Sequence, residues 1–301
     1  MRNLRLIFSN INQGLIYTGK DPAGYQQLSA PDNLAHIETL KASVLDVDVV
    51  CLAEALLDNE NGHSEMINDF KKAFDLKHHI SKVNGTCWHD IKNLNNQFYG
   101  QAVISRYPLE NERYIFIEEP DFIKGGDNFS EKRVNHGSGK FFHNKYLQGT
   151  EVLTHLGQFQ VVNLHGIPFH KFGKNPYSQV RMTAVREWWG WFEKKLLKAI
   201  RTKEKCIITG DFNNSGFSLT EVLPHLINDH GFKFFTLKEN KLENTLPWRQ
   251  LTKGERLYTE NTQMDFILLS PDLAFQNIKS IVTPSDHPAL YAEIKYKEDD
   301  S

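Results

Sequence analysis

A chain of 301 residues with 35 Lys and Arg against 37 Asp and Glu carries a formal net charge of −2. That length buries a substantial core, and so balanced a charge argues against a protein that grips polyanions non-specifically through a basic face, although local charge and a metal can still offset phosphate. No apolar run is long enough for a signal peptide or a membrane span, so a cytoplasmic protein without a transmembrane segment is expected.

The first apolar segment, Leu6 to Phe8, runs through Ser9 into Asn10, Ile11 and Asn12. Pro31, Asp32 and Asn33 then open a helix with Leu34, Ile37, Leu40 and Val44 on its apolar side. Val47 to Leu52 reads as a core strand leading to Glu54, and Met66, Ile67, Phe70 and Phe74 repeat the helical spacing. Strands are expected at Phe98 to Ser105, Arg113 to Ile117, Tyr146 to Thr154 and Phe159 to Leu164, with loops at 84–97 and 119–145. From Tyr177 to Ile200, a stripe of Val180, Ala184, Trp188, Phe192, Leu196 and Ile200 predicts a long helix, whose Trp188, Trp189 and Trp191 read as core. Ile207 to Thr209 is a core strand that delivers Gly210, Asp211, Phe212 and Asn213. Further strands are expected at Phe232 to Thr236, at Met264 to Leu269 with Asp265 at its head, and at Leu290 to Tyr296 after Ser285, Asp286, His287 and Pro288. Lys297 to Ser301 reads as a short charged tail.

The recurring form is an apolar strand ending in polar groups. Side chains two apart on a strand share a face, so Asp211 and Asn213 should converge, as should Asn10 and Asn12. A carboxylate can orient or deprotonate a water, and an amide N–H can hold an oxygen on which charge develops. Taken alone, Gly-Asp-Phe-Asn after a strand is also an ordinary turn. A carboxylate bonded to an imidazole, as Asp265 could be to His287, fixes the tautomer and stabilises the protonated ring. Cys51, Cys87 and Cys206 lack metal-ligand spacing and read as reduced core thiols, and a zinc site is not expected.

The ordered set Asn10, Glu54, His165 within Asn163-Leu164-His165, Asp211 with Asn213, Asp265, and Asp286-His287 resembles the endonuclease/exonuclease/phosphatase superfamily. That group includes deoxyribonuclease I, abasic-site endonucleases, sphingomyelinases and inositol polyphosphate 5-phosphatases. The resemblance runs from about residue 4 to residue 296. It implies an α/β (α+β) fold, a four-layer α/β/β/α sandwich with two mostly antiparallel central sheets, as one catalytic domain over residues 1–301. It also implies that Asn10 and Glu54 hold Mg²⁺ or Mn²⁺, for which oxygen donors are suited. Asn12 would add an outer contact, and Asp286 would either bind metal or position the nucleophile. Asp211 would orient the attacking water, with Asn213 holding it or a phosphoryl oxygen. Asp265 and His287 would form a dyad, and His165 would assist the leaving oxygen.

One departure stands out. In deoxyribonuclease I a Glu backs the histidine matching His165, whereas Gln97-Phe98-Tyr99-Gly100-Gln101 places Tyr99 there, where it is expected to contact phosphate. The basic segment with Lys132, Arg133, Lys140, His143 and Lys145 reads either as a solvated loop or as one in which Lys140 and Lys145 meet a phosphate backbone. Trp248 beside Arg249 can stack on a base or equally pack its loop onto the sandwich. The resulting expectation is a metal-dependent nuclease acting on nucleic acid. The runner-up is a phosphatase or phosphodiesterase for a small phosphorylated molecule, such as a nucleotide, inositol phosphate or phospholipid headgroup; a non-catalytic binding module on the same fold comes third. Oligomeric state is left open.

Overall fold

A computed structural model describes residues 3–20, 26–59, 61–86, 97–117, 145–167, 179–201, 205–214, 217–236 and 263–297. Its strands are β1 (Leu4–Asn10), β2 (Leu15–Lys20), β3 (Gln26–Pro31), β4 (Val49–Leu57), β5 (His78–Thr86), β6 (Phe98–Ser105) and β7 (Leu109–Ile117). These are followed by β8 (Lys145–Thr154), β9 (Gly157–His165), β10 (Cys206–Asp211), β11 (Lys233–Phe234), β12 (Asp265–Leu269), β13 (Leu273–Ile281) and β14 (Ala289–Tyr296). Two six-stranded sheets result, in the orders β13-β14-β1-β4-β6-β5 and β11-β12-β10-β9-β8-β7, with β2 and β3 as a separate ribbon. Each large sheet is antiparallel except for one central pair, β1 with β4 and β9 with β10.

Strand alternation explains the layers. Leu6 and Phe8 of β1 join Ile207 of β10 and Ile267 of β12 in the core between the sheets, while Ile7 and Ile208 point to the outer faces. Central strands are thus buried on both faces, which is why they read as unbroken apolar runs. Helices α1 (Asn33–Ser43) and α2 (Glu65–Phe74) cover the first sheet through Ile37, Leu40, Met66, Ile67, Phe70 and Phe74. Helix α3 (Gln179–Ala199) covers the second through Val185, Trp188, Trp189, Phe192 and Leu196. The architecture is the expected four-layer α/β/β/α sandwich. Asp32 caps α1 by accepting from Ala35 N at 3.0 Å, and Ser64 caps α2 by accepting from Ile67 N at 3.2 Å.

Several expectations need correction. Leu34 is 61% exposed, and His36 takes its place on the buried side of α1 with Nε2 3.3 Å from Leu15 O. The strand expected at Phe232 to Thr236 shrinks to two residues, and β13 and the β2/β3 ribbon were not foreseen. As an edge strand, β13 turns a solvated face outward and so lacks an apolar run. The sandwich buries Trp188 and Trp189 as core, and Cys51 and Cys206 are buried free thiols whose pKa values burial pushes up; Cys87 lies outside the described residues. Among the described residues, no helix is long and apolar enough to cross a membrane.

Candidate active site

β1 runs parallel to β4 and β9 to β10, and the hydrogen bond from Asn10 Nδ2 to Asp211 Oδ2 sets these carboxyl ends at one end of the sandwich. Asn10 closes β1, His165 closes β9 beside Asp211 at the close of β10, and Asp265 opens the antiparallel β12 opposite Asp211. The segment before β14 returns to the same end. There Ser285 Oγ donates to Asn10 O at 2.9 Å and His287 N donates to Ser285 Oγ at 3.2 Å, an anchoring role that the sequence did not flag.

Glu54 reaches this end through a bulge. The register of β4 against β6 jumps from Leu52↔Ala102 to Ala55↔Gly100, and Glu54 adopts a left-handed backbone with φ of 53°. Such a conformation costs about 1–3 kcal/mol and needs support from its surroundings. Asn163 of the other sheet supplies some, with Nδ2 3.0 Å from Leu52 O and 3.2 Å from Ala102 O. The extra residue takes Glu54 out of the strand's alternation and re-aims its carboxylate.

The paired motifs converge by a route other than strand alternation. Both strands end at the first residue of the pair, and the second is left-handed, with φ of 45° at Asn12 and 47° at Asn213. Asn12 N donates to Asn10 Oδ1 at 3.2 Å, and Asn213 N donates to Asp211 Oδ1 at 2.9 Å. These are Asx turns, in which a short side chain caps the backbone two residues on. Asn213 Nδ2 donates in turn to Gly166 O at 3.3 Å. A Cβ on Gly166 would lie 2.2 Å from Phe212 O, so only glycine permits this approach.

Asp211 occupies the centre of the cluster. Its Oδ2 accepts from Asn10 Nδ2 at 3.0 Å and lies 3.8 Å from His165 Nε2 and 3.9 Å from His287 Nε2. His287 Nδ1 is 2.8 Å from Asp265 Oδ2, and His165 Nε2 is 3.4 Å from Glu54 Oε1. Asn10, Glu54, His165, Asp211, Asn213, Asp265 and His287 are all buried, while Asp286 is half-buried with Oδ1 3.3 Å from Ser285 Oγ. Burial, followed by the negative charge of Asp265, pushes the Asp211 carboxyl up to about 6 despite the opposing pull of His287. For His287 burial alone would favour the neutral ring, but Asp265, Asp286 and Asp211 overcome it and raise its pKa to about 10.

The donors suit a hard cation. Asp211, Asp265 and His287 each offer a ligand atom within 4.8 Å of the others, with Glu54 and Asn10 alongside. Asp265 Oδ1 is buried and accepts no hydrogen bond among the described residues. Oxygen donors in such excess over positive charge match a divalent cation of the hard class.

The remaining expected site residues fare differently. Lys145 is not in a loop: it opens β8, is 2% exposed, and places Nζ 2.8 Å from His165 Nδ1. From there it does not track a phosphate backbone at the surface. Tyr99 is fully buried, with its ring centroid 6.0 Å from Lys145 Nζ. Lys140, Trp248 and Arg249 lie outside the described residues.

The family model for the endonuclease/exonuclease/phosphatase family matches residues 8–287. Among solved structures, an endonuclease/exonuclease/phosphatase from Beutenbergia cavernae is 15% identical with a TM-score of 0.64, the match covering 98% of this chain and 72% of that one. The human Nocturnin catalytic domain with a bound sulfate anion is 15% identical, with a TM-score of 0.55 and coverage of 98% and 94%. A mannosyl-6-phosphatase from Bacteroides thetaiotaomicron is also 15% identical, with a TM-score of 0.53 and coverage of 97% and 100%. Among curated proteins, none matches the sequence. The structural likenesses, at such identities, speak for the fold alone; with the family match spanning most of its length, the chain belongs to the endonuclease/exonuclease/phosphatase family.

Proposed function

We propose that this chain is a Mg²⁺- or Mn²⁺-dependent phosphoesterase that hydrolyses nucleic-acid phosphodiester bonds by attack of water at phosphorus, with residues 1–301 forming one catalytic domain. The observation that carries the reading is the convergence of Asn10, Glu54, His165, Asp211, Asn213, Asp265 and His287 on one buried point. A purely binding module on this fold would have no physical need for the whole set.

Each group then has a role. Asp211, with a proton affinity raised to about 6, is poised near neutral pH to orient the attacking water and accept its proton. Asn213 holds that water or a phosphoryl oxygen. His287, held through Nδ1 by Asp265, presents a positively charged Nε2–H to a phosphoryl oxygen as negative charge builds there. His165 brings its Nε2 as near to Asp211 Oδ2 as His287 does and would assist the leaving oxygen. Glu54, Asn10 and Asp286 would hold the divalent ion, while His287 is engaged by Asp265 through Nδ1. The ion supplies positive charge that offsets phosphate and the surrounding carboxylates.

A second reading is a small phosphorylated molecule as substrate. It is supported by the fold likeness to the mannosyl-6-phosphatase, all of whose length is matched, and by the place of Lys145 inside the buried site rather than on a basic surface loop. A panel of single- and double-stranded DNA, RNA, nucleotides, sugar phosphates, inositol phosphates and sphingomyelin, assayed after chelation and dialysis with and without added Mg²⁺ or Mn²⁺, separates the two. Hydrolysis of oligonucleotides that EDTA abolishes and metal restores is the expected result. Turnover confined to small phosphate esters would replace the first reading by the second, and full activity in EDTA would overturn the metal requirement.

A further inference from the structure

We infer that Lys145 is a positioning residue that fixes His165 as the Nε2–H tautomer, so that this ring serves the reaction as an oriented hydrogen-bond donor. The role in the reaction rests on the phosphoesterase reading above; the tautomer itself rests on hydrogen-bond geometry alone.

Lys145 Nζ lies 2.8 Å from His165 Nδ1, and both residues are buried. A protonated Lys145 carries three donors and no acceptor, so opposite it Nδ1 accepts through its lone pair and the ring hydrogen resides on Nε2. The other side of the ring makes the same demand. Nε2 faces Glu54 Oε1 at 3.4 Å and Asp211 Oδ2 at 3.8 Å, and carboxylate oxygens are acceptors. Two independent sets of neighbours, from β8 on one side and from β4 and β10 on the other, therefore select one tautomer.

Strand pairing brings the lysine backbone beside His165, although strict alternation would send the two side chains to opposite faces, and the reach of the long lysine side chain makes the contact. β8 and β9 pair antiparallel with Leu147 opposite Leu164, which sets Lys145 at the start of β8 diagonally across from His165 at the end of β9. The ring of Tyr99, from the opposite sheet, lies 6.0 Å from Nζ and gives the buried cation a π face. The site thus holds two imidazoles backed in opposite senses. His287 has an acceptor, Asp265, behind Nδ1, and His165 has a donor there.

The test uses the full chain, isotopically labelled and metal-free, with long-range proton–nitrogen correlation spectra of the imidazoles at neutral pH and His165 assigned by its loss in His165→Gln. The expected wild-type pattern is Nε2–H with an unprotonated Nδ1. Lys145→Met should weaken that preference by removing one of its two determinants, and Lys145→Arg should retain it, because a guanidinium also only donates. A wild-type His165 protonated at Nδ1 overturns the inference whether or not Lys145→Met folds. On bis(para-nitrophenyl) phosphate with Mg²⁺, Lys145→Met should lower kcat roughly 10–100-fold with KM little changed, and Lys145→Arg should recover most of the loss. An unchanged kcat in Lys145→Met overturns the positioning role. Failure of the wild type to hydrolyse any phosphate ester would refute the phosphoesterase reading, while the spectrum still decides the tautomer.

Discussion

At the amino ends of β1 and β4, Asp48 is buried and receives Arg5 N at 3.0 Å and Arg5 Nε at 3.1 Å, while Asp46 pairs with Arg106 and with Arg5, the latter at 2.6 Å. Burial would raise the Asp46 pKa, but Arg106 and Arg5 hold it at about 2. At the opposite end of the sandwich, Glu54 and Asp211 converge on His165, and Asp211 and Asp265 on His287, with Asp286 beside it, and Asp211 is pushed up to about 6. Carboxylates matched by guanidiniums stabilise one end of the sandwich. Carboxylates crowded beyond their counter-charges make the other end a site, where a proton or a divalent cation relieves repulsion.

The largest expected effect lies on the crowded end. Asp211→Asn and His287→Gln should each lower turnover about 100- to 10,000-fold in a metal-supplemented hydrolysis assay, and Asp265→Asn less, because the imidazole remains. Arg106→Ala, at the far end, should leave turnover unchanged. Near-normal rates in the first two variants would dissolve the functional distinction between the ends.

Stability should respond in the opposite order. Asp48→Ala strands Arg5 without its buried partner and should cost roughly 2–4 kcal/mol in denaturant unfolding. A loss within experimental error would show that the far end is not the structural one.

A smaller effect carries the opposite sign. The Asp211 pKa is raised in the fold, so its ionisation destabilises the metal-free protein progressively as pH rises from the unfolded value of about 3.8 through about 6. In EDTA at pH ~8, Asp211→Asn should therefore melt a few degrees above the wild type, with the gap closing towards pH ~4. Added Mn²⁺ should stabilise the wild type more than the variant. An Asp211→Asn protein that melts lower at pH ~8 would sink the idea of stored repulsion.

The smallest effect is expected in acid. The depressed Asp46 pKa gives stability that is present above its unfolded pKa and lost as pH falls from about 3.8 towards about 2. Because Asp46 is partly solvated, the contribution is modest, and Asp46→Asn should only flatten the fall in Tm across that window. An identical slope in the variant would remove Asp46 from the comparison.

Much of this molecule was legible before folding. Central strands buried on both faces, such as β1, β4, β10 and β12, announce themselves as apolar runs, and Asn10, Glu54, His165, Asp211 and Asp265 stand at or near their ends. Edge strand β13 stayed hidden because a solvated face leaves little periodicity to read, and β11 was read too long, as Phe232 to Thr236. Leu34 was misplaced because helical spacing identifies a stripe and not its limits, and His36 filled the buried edge instead.

The sequence by itself determined which chemical groups exist and roughly at which strand ends, because strand alternation, apolar runs and turn residues are local properties of the chain. How those groups meet was a tertiary decision. The left-handed turns at Asn12 and Asn213, the bulge at Glu54 and the hydrogen bond between Asn10 and Asp211, 201 residues apart, arise only when two sheets close on one another. The same holds for Lys145, whose neighbours in the chain suggest a basic loop and whose neighbours in space make it the partner of a buried imidazole. A histidine's tautomer is set by the donor or acceptor that packing brings to each ring nitrogen, and no local pattern in the chain encodes that partner.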